Sequence, residues 1–266
     1  MATFTPVIES SLTTPKVRGI PVEQPWQWLA AGWKDLWRAP TVSIPYGLIF
    51  VIMGYALVYT IETRFQYALA LTTGFLLAGP FLSMGLYDVS RRLEAGQIPT
   101  LPLALTAWRN NVLPITLFGL LIGLLMIVWV RLASLMFAVS TGGTHFSLDS
   151  SLTQLFFTGS GLKFLIVFAL IGALVSAVVF AISVVSIPMM LDRKIDFITA
   201  VLTSLTAVRV NPAPMALWAI LIALFTGIGL ITFYLGLAII LPLIGHASWH
   251  AYRDLVDDSS IEQQPF

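Results

Sequence analysis

The stretch Pro99–Ile122, PTLPLALTAWRNNVLPITLFGLLI, decides how this chain is read, because the chain writes it twice. At a spacing of 100 positions, Leu105, Thr106, Ala107, Arg109, Asn111, Pro114 and Leu117 return as Leu205, Thr206, Ala207, Arg209, Asn211, Pro214 and Leu217. Leucine and alanine matches are cheap in an apolar sequence. The ordered set Thr, Arg, Asn, Pro is not. It marks a place where a polar segment lying at an interface turns and enters a long hydrophobic span.

Composition supports that reading. Of 266 residues, 58% are hydrophobic and 10% charged, and mean hydropathy is +0.89. A soluble domain carries roughly a quarter charged residues, so this surface cannot face water on all sides. The chain reads as an integral membrane protein whose first partner is the lipid bilayer. A net charge of +1 provides no field to recruit nucleic acid. Without cysteine there is no disulfide, thiolate metal site or thiol nucleophile. The opening residues contain no apolar core of a signal peptide, so insertion is expected to begin at the first internal span.

Taken in order, residues 1–24 are polar and interrupted by Pro6, Pro15 and Pro21, and read as a disordered tail. Residues 25–255 form one transmembrane domain, and residues 256–266 a polar C-terminal tail. In PWQWLAAGWKDLWRAP (Pro25–Pro40), Trp26, Leu29, Ala30, Trp33 and Trp37 recur at helical spacing, with Lys34, Asp35 and Arg38 off that stripe. A helix of this kind lies in the headgroup layer. Two apolar runs follow, Ile44–Thr60 and Tyr67–Leu86, each long enough to cross roughly 30 Å of hydrocarbon at about 1.5 Å per residue. The second is expected to kink at Pro80 and stop at Ala95–Gly96. Pro99–Asn110 reads as a second amphipathic element before the span Val112–Val139. A loop over Ser140–Gly161 and a fourth span, about Lys163–Leu191 with Pro188 near its end, come next. Asp196–Asn211 is the third amphipathic element.

The final run, Pro214–Ile244, is either one long span or a hairpin broken at Thr226–Gly229. The hairpin is favoured because Pro242 leads to Arg253 over the same eleven positions by which Pro80 leads to Arg91, with Trp249 standing where Tyr87 stands. The chain is therefore expected to be an all-α, polytopic transmembrane bundle of six spans, or five if the last run is single. It is organised as three repeats, about 25–95, 96–194 and 195–255, each an amphipathic helix followed by a hairpin. Arg38, Arg109 and Arg209 stand before helix-opening prolines in each repeat. In the six-span arrangement Lys16, Arg18, Lys34, Arg38, Arg91, Arg92, Arg109, Arg193, Lys194, Arg209 and Arg253 share one side. Only Arg64, Arg131 and Lys163 fall on the other. Positive residues mark the cytoplasmic side, so both termini are expected there.

Few residues could carry chemistry. His246, His250 and Asp254 lie at i, i+4 and i+8 on one helix face, a spacing at which two imidazoles can hold a metal. Their rival reading is a pair of interfacial histidines. Arg131 interrupts the third span; it either snorkels outward or faces a polar cavity opposite Asp149 or Glu62. Asp88 and Asp192 have arginines beside them in sequence, and local pairing is the default. No span carries a central Asp or Glu, and no phosphate loop, HExxH or GxSxG occurs. No cofactor is implied, and a non-catalytic role is favoured. The residues singled out as interfacial or structural are Trp37, Arg38, Pro80, Trp108, Arg109, Asn111, Pro114, Arg131, Pro188, Arg209, Asn211, Pro214, Pro242 and Trp249.

Three motifs carry a resemblance: GWKDLWRAP (Gly32–Pro40), GP…GLYDVSRRLEAG…P (Gly79–Pro99) and LPLIGHASWHAYRDLV (Leu241–Val256). The sequence resembles a family of bacterial integral membrane proteins, domain of unknown function family 2189. The resemblance implies a bacterial inner membrane and a multi-pass helical fold, and no activity. Three functional classes follow. The leading one is an accessory subunit that associates with another membrane complex or with itself. The second is a transporter or lipid-handling protein with a cavity around Arg131. The third is a haem or copper protein using His246 and His250.

Overall fold

The computed structural model describes residues 15–63, 83–141, 158–257 and 262–264. The second expected span before residue 83, with Pro80, and the loop containing His145 and Asp149 lie outside the described residues. Helix α1 (Gln24–Arg38) has a proline in its first turn and ends at Ala39, from which α2 (Pro40–Thr63) leads off. Helix α3 covers residues 83–94. It stops where expected, with Gly96 left-handed at φ 70° and Gln97 N donating to Arg92 O at 2.8 Å. The short α4 (Leu101–Leu105) and a 3-10 turn (Ala107–Asn111) precede α5 (Val112–Thr141). Then come α6 (Gly159–Ser183), α7 (Ser186–Asp192), α8 (Phe197–Val210), α9 (Pro212–Ile231) and α10 (Leu237–Leu255).

The molecule is an all-α membrane protein. Four stretches among the described residues are long and apolar enough to cross a bilayer: Pro40–Tyr59, Ala107–Met136, Gly161–Asp192 and Pro212–Ile231. Helix α10 is not one of them, because its second half is polar.

The last apolar run is two helices, and the break lies further on than Thr226–Gly229. Helix α9 continues through Gly227 and Gly229 and turns at Thr232–Gly236, where Phe233 and Tyr234 have φ of 52° and 65°. Glycine alone does not break a helix in lipid, where every freed backbone group lacks a partner. Thr232 supplies partners at the real break: its hydroxyl accepts from Gly236 N at 3.0 Å and donates to Gly229 O at 2.9 Å. The start of α9 and the end of α10 both meet residues 18–20, so the pair is a hairpin.

The expected continuous helix Lys163–Leu191 is broken at Val184–Val185. Proline clashes with the carbonyl four residues before it, and Val184 stands four before Pro188. Ser204 of α8 stitches the gap, accepting from Val185 N at 3.2 Å and donating to Ala181 O at 2.7 Å. Pro242 likewise removes the partner of the Ala238 carbonyl in α10, and Gly47 of α2 packs directly on that carbonyl.

Helix α1 has two apolar faces where one was expected. Trp26, Trp33 and Trp37 face outward, each about half exposed. Trp28, Leu29, Gly32, Asp35 and Leu36 are buried against α10. Asp35 therefore lies inside the protein rather than on a solvated stripe. Residues 15–20, read from sequence as tail, are docked. Lys16–Val17 pairs antiparallel with Val256–Asp257, and Arg18 N donates to Leu255 O at 2.8 Å.

Candidate functional site

The polar residues of this apolar chain gather in one layer where α1, α2, α3, α7 and α10 meet. On one side of the layer is His246, fully buried, with Ser43 Oγ 2.9 Å from Nε2 and Ser90 Oγ 2.8 Å from Nδ1. Ser90 also hydrogen-bonds the Asp35 carboxylate, which can only accept. His250 Nε2 lies 2.8 Å from Asp35. The chain His250–Asp35–Ser90–His246–Ser43 thus joins four helices. Burial pushes the Asp35 carboxyl upward, but the hydrogen bond and charge of His250, with the Ser90 hydroxyl, outweigh it. They hold the group below the usual carboxylate range.

The other side of the layer is ionic. Asp192 is 1% exposed and Arg91 2%. Arg91 Nε donates to Asp192 Oδ1 at 3.1 Å, Tyr252 OH to Oδ2 at 3.0 Å, and Arg193 Nε to Oδ2 at 3.1 Å. Arg92 Nε donates to Asp88 Oδ2 at 2.6 Å. Asp88 Oδ1 accepts no hydrogen bond and has Arg91 3.9 Å away. Glu94 receives Trp249 Nε1 at 2.9 Å and Arg253 Nε at 3.2 Å. Asp254 receives Trp28 Nε1 at 2.7 Å and Gln24 Nε2 at 2.8 Å. Local pairing describes Asp88. Asp192 in addition binds an arginine 101 positions away, so the pair clamps α3 to α7.

The residues singled out from sequence divide into groups. His246, His250 and Asp254 share a helix face but turn to different partners. Among the described residues no group of three or more His, Asp or Glu side chains could hold a metal ion. Trp249 is buried. Asn111 donates to Met190 O at 2.9 Å and Ile195 O at 3.3 Å. Asn211 accepts from Ile20 N at 2.8 Å and donates to Arg18 O at 2.9 Å. Pro114, Pro188 and Pro214 stand in the first turns of α5, α7 and α9. Trp37 and Trp108 are exposed, with the Arg109 guanidinium 5.5 Å over the Trp108 ring. Arg38 pairs with Asp35 at 3.7 Å, and Arg209 stands in the last turn of α8. Arg131 is exposed on α5. What sequence reading missed is the pairing of Arg91 with Asp192 and the parts that Tyr252 and Glu94 play beside it. Their only signal was a cluster of charges just beyond an apolar run.

Three cavities lie among the described residues, one of them in the layer itself. One of about 400 Å³ lies between α2, α3, α6, α9 and α10, lined by Phe50, Tyr87, Phe180, Ile222 and Leu241 among others. A second of about 390 Å³ separates α5 from α6 at Met126, Trp129 and Gly172, and shares Phe180 and Ser183 with the first. The third, about 190 Å³, is a polar recess between Arg91, Glu94, Asp192, Trp249, Arg253 and Gln263. Arg131 lines none of these three, so the polar cavity expected around it is not among them.

The profile of a family described as predicted integral membrane protein (DUF2189) matches residues 68–192. This is the family that the sequence motifs resemble. No curated protein and no solved structure matches the chain.

Proposed function

We propose that this integral membrane protein is a non-catalytic interaction subunit of the bacterial inner membrane, docking a second membrane protein or a second copy through α5 and α6. The carrying observation is an asymmetry of burial. The apolar windows of α2 and α9 are 39% and 28% buried within the chain, whereas those of α5 and α6–α7 are 17% and 6% buried. The exposed face of α6 presents Ala169, Ala173, Ser176 and Ala177 at helical spacing. Small residues of this kind let a neighbouring helix approach closely in lipid. The buried polar layer, by contrast, is occupied in holding helices together.

Six crossings arranged as three repeats accompany this reading. Residues 16–17 pair with 256–257, which requires an even number of crossings between them. Asn111 and Asn211, equivalent under the 100-position shift, both bond backbone carbonyls of distant segments. The excess of Lys and Arg at the end carrying the polar layer supports cytoplasmic termini. A reporter fusion at Phe266 returning a periplasmic signal would overturn that orientation.

A photo-crosslinking residue at Ala177 tests the interaction. The expected product is a protein adduct of defined mass that is absent when the probe stands at Ile52, an exposed position on α2. Lipid adducts alone at both positions would overturn the proposal. They would favour the rival, a lipid-handling protein, which is supported by the two cavities sharing Phe180 and Ser183.

A further inference from the structure

After α7 a single residue is extended, Arg193 at φ −123° and ψ 149°, and the chain then turns, with Ile195 N donating to Arg193 O at 2.9 Å before Asp196 caps α8. An extended segment exposes N–H and C=O groups along its edge and is a template for another strand. Here that edge is covered by residues 262–264. Arg193 faces Gln263 in an antiparallel bridge. Lys194 N donates to Glu262 O at 2.9 Å, and Gln264 N donates to Asp192 O at 2.7 Å.

Side chains fix the register. The Gln264 amide donates to Arg193 O at 3.3 Å, and Gln263 Nε2 to Asp192 Oδ1 at 3.3 Å. The Lys194 ammonium pairs with Glu262 at the exposed end. The buried Arg91 guanidinium donates to the Gln264 carbonyl. One charged side chain from the core of the layer therefore reads the backbone of a segment more than 170 positions away. Beside the covering segment the 190 Å³ recess remains open, walled by Arg91, Glu94, Trp249 and Arg253.

We propose that Asp192–Lys194 and Arg91 form a binding site for an extended peptide, and that residues 262–264 are a resident occupant exchangeable for a segment of another chain. The chemistry selects the ligand. It needs an acid opposite Lys194 and a free backbone N–H two residues later. It also needs a side-chain amide at that second position and a carbonyl for Arg91. The contact is only three residues long, and its outer ion pair is about half exposed or more, so the occupant can leave without unfolding α7 or α10. The recess gives room for side chains larger than those of the resident segment. Only the identity of the incoming chain, an extended tail or loop of a membrane partner, rests on the interaction-subunit reading. The site itself does not.

The test uses the full chain in mild detergent and a fluorescein-labelled peptide of residues 258–266. Gln264→Pro in the protein removes both the N–H given to the Asp192 carbonyl and the side-chain amide given to the Arg193 carbonyl, and so weakens the resident segment. The peptide is expected to bind this variant at least about tenfold more tightly than the wild type, because the competitor loses two hydrogen bonds. A peptide carrying the same proline should bind at least about tenfold more weakly than the native peptide. Failure to bind either protein would overturn the proposal, as would equal binding of both peptides. Should the variant fail to fold, hydrogen exchange on the wild type decides. The Lys194 and Gln264 amides are expected to exchange well before those of α10, and exchange only together with α10 would make the segment a fixed part of the fold. A protein that binds the peptide but gives only lipid adducts at Ala177 would keep this site and lose the α6 interface.

Discussion

The α1–α10 junction and the α5–α6 hairpin are both apolar, yet they are built on opposite terms. At and beside the junction, Gly32 of α1 lies against the backbone of Ala247, Gly47 of α2 against that of Ala238, and Gly245 of α10 against the Leu86 side chain of α3. Around these contacts the chain has spent nearly all its buried charge. In the α5–α6 hairpin the spans are the most hydropathic of the four candidates, 2.5 and 3.0, and the least buried. In water the second region would be the better core. In lipid it gains nothing from self-burial, because hydrocarbon chains are as apolar as leucine. Close backbone approach and polar bonds are what give helices an address in a membrane.

The hardest blow to that contrast falls on the ionic side. Arg91→Ala leaves Asp192 and Asp88 buried with one arginine fewer between them. Removing one partner of a buried pair costs about 3–5 kcal/mol, much of it the unpaired charge left behind. The protein is expected to lose its cooperative thermal transition in detergent, or to fail to accumulate. A transition unchanged from wild type would mean that the layer decorates the helix ends and does not join them.

Close approach is tested next. A Cβ on Gly32 would lie 2.7 Å from Ala247 N and 2.8 Å from Leu243 O, both backbone atoms that cannot turn aside. Gly32→Val must separate α1 from α10, and overpacking of this kind costs about 1–3 kcal/mol. Gly227 has nothing within 4 Å of its notional Cβ, so Gly227→Ala is expected to stabilise α9 by about 0.5 kcal/mol, as alanine for glycine does inside a helix. Equal effects at the two glycines, read by thermal unfolding, would erase the distinction between junction and periphery.

What the sequence made legible follows the same division. Amphipathic elements, the stop at Ala95–Gly96 and the doubling of the last run are local patterns, and the backbone obeys them. The partners of charge are not local. Nothing near Asp192 in sequence points to Arg91, and nothing in α1 shows that Asp35 turns inward to His250. The i, i+4 spacing of His246 and His250 was visible. Their divergence was not, because it depends on Ser43, Ser90 and Asp35 arriving from other helices. The break at Val184 was readable in principle from Pro188, since a proline frees the carbonyl four residues before it. What sequence could not supply was Ser204, which makes that break tolerable in lipid.

Acid acts on the junction through Asp35, with a smaller effect. The folded Asp35 carboxyl titrates below its ordinary value of 3.8, so its stabilising effect is fully present above the unfolded value. It is lost as pH falls through the folded one. A hydrogen bond to a charged group contributes about 1.5–3 kcal/mol, and the lower end applies here because His250 is 28% exposed. Asp35→Asn is expected to lower stability by about 1.5 kcal/mol at neutral pH and to flatten the pH dependence below pH 3.8. Thermal melts of both proteins from pH 3 to 7 read the difference. Parallel curves would show that Asp35 contributes no pH-dependent stability.

The smallest effect on stability is expected at Ala173, and there the contrast is most exposed to failure. Ala173 is exposed on α6 and touches none of the buried layer. Ala173→Leu should leave the thermal transition within about 0.5 kcal/mol of wild type, as surface substitutions do. Lipid receives leucine as readily as alanine, so a purely lipid-facing helix would register nothing. A docked helix would register it at once. The larger side chain holds the two backbones apart and forfeits the van der Waals contact on which association in lipid depends. The yield of the protein adduct from Ala177, one turn away, should then fall about tenfold, corresponding to roughly 1.4 kcal/mol of association energy. An unchanged yield would place the partner on another face, and the small residues of α6 would be only the composition of a helix that lipid does not constrain.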